Sequence, residues 1–152
     1  MVPRLRPRVF LDSNVVFSAV YSPYGPPGII LLHLASGDIV GVVSQMVLAE
    51  VVRAVRKKNP GILPVLRTLL VDAPIEVVAD PPIKSVGRWR GGLSPMDAII
   101  VEAAVAAKPD YFVTGDHHFL DDTSIAKDSG LRIVTPADYL KRQGDWLANA
   151  KT

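Results

Sequence analysis

The 152-residue chain contains no cysteine. That excludes a disulfide scaffold and thiolate-held zinc, suits a cytoplasmic protein, and leaves oxygen or histidine to hold any metal. No apolar run approaches the roughly 20 residues that span a bilayer; the strongest, 28–35, 39–43 and 99–107, are the length of core elements. Met1 to Arg8 is basic and broken by prolines, and the apolar stretch after it ends in Asp12 and Asn14 instead of a small-residue cleavage site, so no export signal is expected. There is no glycine-rich strand-to-helix turn of the P-loop or dinucleotide type, no internal repeat and no linker. Neither sign of charge dominates. Seventeen Lys and Arg stand against fifteen Asp and Glu, a net charge of +2, which by itself does not announce a nucleic-acid partner.

What is present is a regular alternation. About half the residues are apolar, enough for one core, and a single domain over 1–152 is expected. Short apolar runs at 8–12, 39–43, 75–78, 111–113 and 131–134 predict five buried strands. Between them, helical periods run over 28–36, 44–58, 61–70, 94–107 and 136–147. Ser44, Ser94-Pro95 and Thr135-Pro136 have the form of helix starts, a capping hydroxyl followed in two cases by proline at the first helical position. Strand–helix alternation predicts an α/β fold with a mainly parallel sheet, whose chemistry gathers beyond the strands' carboxyl ends.

Two acids fall at such ends: Asp12 directly after Val9-Phe10-Leu11, and Asp116 after Tyr111-Phe112-Val113 and a Thr114-Gly115 turn. A carboxylate at the end of a buried strand is costly to desolvate without a cation or several donors. Asn14, two residues on, is placed to hold Asp12 by its amide or to start a helix. Glu50 lies at the margin of the apolar face of the helix from Ser44, beside Arg53 and Lys57, where a surface ion pair and a cleft-facing acid are both open. Asp97, three residues after Ser94, fits a helix-capping arrangement as well as a ligand at the start of an apolar helix. Glu102 points about 140° away from Asp97 on that helix and is expected in a structural pair.

The segments FLDSNVV, SQMVLAEVVRAV, SPMDAIIVEAA and FVTGDHHFL, in this order and spacing, together resemble the PIN-domain family over nearly the whole chain. The resemblance looks closest to the single-domain prokaryotic members assigned as toxins of toxin–antitoxin pairs. It implies a three-layer α/β/α sandwich with a five-stranded sheet, and an acidic pocket that binds Mg²⁺ or Mn²⁺ and cleaves RNA. On that resemblance Asp12, Glu50, Asp97 and Asp116 form the catalytic and metal-holding quartet, supported by Asn14 and Thr114. Many members carry a further acid two residues after the fourth. This chain has His118 there as a further supporting residue, preceded by His117, with Asp121 or Asp122 as an acid that would compensate.

A pocket of carboxylates repels a polyanion, so cations are expected around its rim: Arg53 and Lys57 beside Glu50, and Arg88 and Arg90 on the loop toward Asp97. Trp89 either stacks a base there or anchors the loop to the core. Competing phosphoryl-transfer readings fit less well. A phosphatase of the haloacid dehalogenase type wants an acid at Asn14, and a receiver domain wants a lysine on a late strand. A PIN fold kept as a weak or inactive binding module for RNA or protein is the other alternative. The partners implied are RNA, a cognate antitoxin and a second copy of the chain. For the last helix, Tyr139, Trp146 and Leu147 offer either packing on the sheet or a dimer contact.

Overall fold

The computed structural model describes residues 6–89 and 92–150, the side chains of 146–150 excepted. Its strands are β1 (Arg8–Leu11), β2 (Val40–Ser44), β3 (Ile75–Val78), β4 (Tyr111–Val113) and β5 (Ile133–Val134). All pair in parallel, in the order β3-β2-β1-β4-β5. The five expected strands are these five, with the last trimmed to two residues. Strands β1, β2 and β4 contain no exposed residue, which is why each reads in sequence as an unbroken apolar run.

The helices are α1 (Ser13–Tyr21), α2 (Pro26–Ala35), α3 (Gln45–Lys58), α4 (Leu63–Asp72), α5 (Pro95–Ala107), α6 (His117–Leu120), α7 (Thr123–Ser129) and α8 (Pro136–Ala150). The three expected caps form: Ser44 Oγ accepts from the Val47 N–H at 3.2 Å, Ser94 Oγ from Asp97 at 3.2 Å and Thr135 Oγ1 from Asp138 at 3.1 Å. The helix expected from Gly61 begins at Leu63 instead. A 3₁₀ turn over Pro60–Ile62 precedes it, because the Asn59 side chain takes the Gly61 N–H at 3.2 Å. Helices α1, α6 and α7 were not expected, and each starts on an aspartate, Asp12, Asp116 or Asp122. No single helix among the described residues is long and apolar enough to cross a membrane.

With the right-handed crossovers general to parallel sheets, this strand order sets α1 to α4 over one face of the sheet and α5 to α7 over the other, giving three layers. In the middle, Phe10 of β1 and Phe112 of β4 are register partners and stack at 5.3 Å; Phe119 of α6 meets Phe112 edge-on at 5.4 Å. Tyr139 of the last helix is fully buried, its ring edge-on to Tyr111 at 5.5 Å. Of the two roles open to Tyr139, packing on the sheet is the one it takes, and the dimer contact is not, since its ring is buried beside β4. Trp146 and Leu147 have side chains outside the described residues.

From β1 the chain steps outward to β2 and β3, then returns to lay β4 and β5 on the other side. The sheet's switch point therefore lies between β1 and β4, which puts Asp12 and Asp116 beside it.

Candidate active site

Asp12 is the buried centre, 3% exposed. Its backbone N–H prolongs the β1–β4 ladder by donating to the Val113 carbonyl at 3.0 Å. Its carboxylate caps α1: Oδ1 accepts from the Ser13 N–H at 2.8 Å, while Oδ2 accepts from Thr114 Oγ1 at 2.7 Å and Asn14 Nδ2 at 3.0 Å. Those donors favour the charged form, but burial outweighs them, and with the negative Glu50 nearby pushes the Asp12 pKa up to about 6.

Glu50 reaches this centre from α3. Its Oε2 accepts from Ser13 Oγ at 2.7 Å, so Ser13, a residue the sequence did not single out, ties the second acid to the first. On the other side Thr114, fully buried, bridges to the fourth. Its Oγ1 donates to Asp12 and accepts the Asp116 N–H at 3.0 Å, and Asn14 Nδ2 also lies 3.4 Å from it. Asn14 Oδ1 takes the Gly115 N–H at 2.7 Å. A Cβ at Gly115 would lie only 3.2 Å from that oxygen, so glycine permits the close approach. Asp116 caps α6 by accepting the His118 N–H at 2.9 Å, and the His118 ring lies 3.6 Å from the same oxygen.

Asp97 stands in the first turn of α5, half-buried, with its N–H held by Ser94. No hydrogen bond joins its carboxylate to the other three acids among the described residues. His117 pairs with Asp121 at 3.3 Å, and Asp122 caps α7 through Ser124 at 3.0 Å, so both compensating acids are already engaged. Arg53 and Lys57 are exposed on α3. Arg88 is bound by Glu102, which also accepts the indole N–H of Trp89 at 2.7 Å; the guanidinium stacks over that ring at 4.6 Å. The segment expected as a loop is instead a 3₁₀ helix over Ile83–Trp89; Trp89, buried at its end, anchors it to the core, and Glu102 forms the structural pair expected of it. Arg90 lies outside the described residues.

No three of the described acids and histidines converge closely enough to hold a metal ion by themselves. The donors are nonetheless all hard oxygens, suited to Mg²⁺ or Mn²⁺. An ion taking one or two of these carboxylates and completing its shell with water fits the way Mg²⁺ is commonly bound.

Fold and site together define an α/β protein with Asp12 and Asp116 beside the switch point of a wholly parallel sheet and Glu50 tied to that point through Ser13. The sequence pattern of the PIN domain matches residues 8–118, from the first residue of β1 to just past Asp116, and the chain belongs to the PIN-domain family. Among solved structures it is similar to one of VapBC2 from Rickettsia felis bound to a DNA fragment from their promoter, with a TM-score of 0.64 and 19% identity over 84% of this chain and 98% of that one. No curated protein sequence matches it significantly.

Proposed function

We propose that this chain is an endoribonuclease dependent on Mg²⁺ or Mn²⁺, acting in the cytoplasm as the toxin of a toxin–antitoxin pair. Asp12, Glu50, Asp97 and Asp116 are its catalytic and metal-holding residues. The observation that carries this reading is the Asp12 carboxylate, buried at the switch point with its geometry fixed by three neutral donors and its charge opposed by Glu50. Such a group is stabilised by a cation that brings its own charge to the site. The VapBC2 assembly supports the pairing with an antitoxin.

When bound, the cation lowers the pKa of a coordinated water and offsets charge on the cleaved phosphate. The chain's own residues do the positioning. Thr114 and Asn14 fix the Asp12 oxygens, Ser13 aims Glu50, and the His118 N–H holds Asp116. Arg53 and Lys57, exposed beyond Glu50 on α3, offer phosphate contacts at the rim. Arg88 serves there only by exchanging Glu102 for phosphate, and Arg90 completes the proposed set.

One observation favours a second reading, a PIN fold kept as a weak or inactive binding module: the absence of a three-ligand cluster among the described residues. Labelled RNAs incubated with the protein, or with its Asp12→Asn/Asp97→Asn double variant, in Mg²⁺, Mn²⁺ or EDTA separate the two. The nuclease reading expects metal-dependent cleavage by the unaltered protein alone, with the double variant slower by roughly 10³-fold, the worth of several kcal/mol of charge stabilisation. Metal binding without cleavage of any RNA would leave the binding module.

A further inference from the structure

Helices α1 and α3 lie side by side, and their contacts run in register from the acids outward. At the near end Ser13 Oγ bonds Glu50 at 2.7 Å. Two turns further along both helices, about 12 Å away, Lys58 Nζ lies 5.6 Å from the ring centroids of both Phe17 and Tyr21. Ser13, Phe17 and Tyr21 follow at four-residue steps on α1, as do Glu50 and Lys58 on α3 at twice that step, so one seam joins the acidic site to an aromatic pair.

The two rings stack at 5.5 Å and 15°. Phe17 is partly buried against the core, whereas Tyr21 is 47% exposed. Around the half-exposed Tyr21, Arg56, Lys57 and Lys58 make the last turn of α3 basic. A flat exposed ring beside clustered cations is how proteins hold single-stranded nucleic acid, the bases on the ring and the phosphates on the cations.

We propose that Tyr21, backed by Phe17 and Lys58, is a stacking platform for one base of a single-stranded RNA whose backbone follows the α1–α3 seam to the carboxylates. The platform rests on the ribonuclease reading and deepens it by naming where the strand beyond the cleaved bond is held. It also calls for an unpaired strand, because a base inside a duplex has no free face to offer the ring.

The test uses a ten-nucleotide 5′-labelled oligouridylate, its single-abasic-site series, and fluorescence anisotropy with the full chain carrying Asp97→Asn to suppress cleavage. One abasic position is expected to weaken binding about tenfold, the usual worth of a stacked base. Tyr21→Ala in that background should lose the same factor on intact RNA and become indifferent to that position, while Tyr21→Trp restores both. Lys58→Ala should lower the slope of log affinity against log salt by about 0.7. Circular dichroism confirms that each variant folds. An abasic series with no sensitive position, or a folded Tyr21→Ala that binds intact RNA normally, overturns the platform. If the unaltered protein cleaves RNA with Mn²⁺ in either case, the platform alone has failed. If it neither binds nor cleaves RNA, the ribonuclease reading fails and the platform falls with it.

Discussion

Strand β1 has an ionisable site at each end, and the two are built oppositely. At the amino end Arg8 makes a two-pronged pair with Glu76, at 2.6 and 3.1 Å, and gives its backbone N–H to Asp110 at 2.7 Å. The guanidinium holds the Glu76 carboxyl below the usual range. Four residues later, Asp12 is surrounded by neutral donors and a second acid, and among the described residues no cation pairs with it. Neutral donors fix where the oxygens point but bring no charge of their own. The amino end is an ion pair complete in itself, whereas the carboxyl end holds a charge still to be offset.

That contrast predicts opposite responses to pH. Folding raises the Asp12 pKa to about 6, so between about pH 4 and 6 the folded chain binds more protons than the unfolded one, and stability falls as pH rises through that window. At neutral pH the penalty is about 3 kcal/mol. Glu76 works the other way, losing stability only as pH falls below the ordinary glutamate range. Only about 1.4 kcal/mol of that penalty is relieved by pH 5, so in EDTA the melting temperature should rise by about 3 to 5 °C between pH 7.5 and 5, at the 2–4 °C per kcal/mol usual for this size. Asp12→Asn should flatten the curve, and parallel curves for the two proteins would erase the contrast.

Divalent metal should act on the same end by the same logic. At a hundredfold excess over its dissociation constant, an ion that binds only the folded chain adds about 2.7 kcal/mol, so Mn²⁺ at pH 7.5 should raise the melting temperature by about 5 to 10 °C. Asp12→Asn should abolish most of that rise. An equal rise in both proteins would place the ion elsewhere.

Much of this end was legible in sequence because an acid at the end of an apolar run is chemically conspicuous. The strands and the hydroxyl caps of α3, α5 and α8 were legible for similar reasons, each being a local pattern. Helix α1 was not: Ser13–Tyr21 is rich in valine and aromatic residues, which are poor helix formers, and its cap is the very aspartate that reads as a ligand. Missing α1 hid Ser13, which faces Glu50 only because the chain turns helical immediately after Asp12. Strand order was also beyond local pattern. That β1 and β4 are neighbours, which brings Asp12 and Asp116 together, is set by the crossovers. Arg88 and Trp89 read as a base-gripping pair until Glu102 of α5 is seen to accept from both.

Thr114 tests whether neutral donors matter as positioning groups. Its buried hydroxyl donates to Asp12 and accepts from the Asp116 backbone, and Thr114→Val keeps the shape while removing both bonds. Cleavage should fall by about 10- to 100-fold, as for other partners that orient metal-holding groups, with about 1 to 3 kcal/mol of stability lost at pH 7.5. Because Asp12 then loses a donor to its charged form, its pKa should climb further, and the variant's stability should go on falling to a higher pH before it levels off. A fall in activity without that displacement would make Thr114 a packing residue only.

The smallest effect belongs to the amino end. Glu76→Gln removes a largely solvent-exposed ion pair, so the expected loss is under about 1 kcal/mol and shrinks in high salt. The variant should keep the full pH response of Asp12 and the full stabilisation by Mn²⁺, since its carboxylate lies at the opposite end of the strands from the acids. The informative measurement is the difference between melts with Mn²⁺ and with EDTA. If Glu76→Gln reduces that difference as Asp12→Asn does, the two ends of β1 are electrostatically coupled through the sheet, and the division between a finished pair and an open site does not hold.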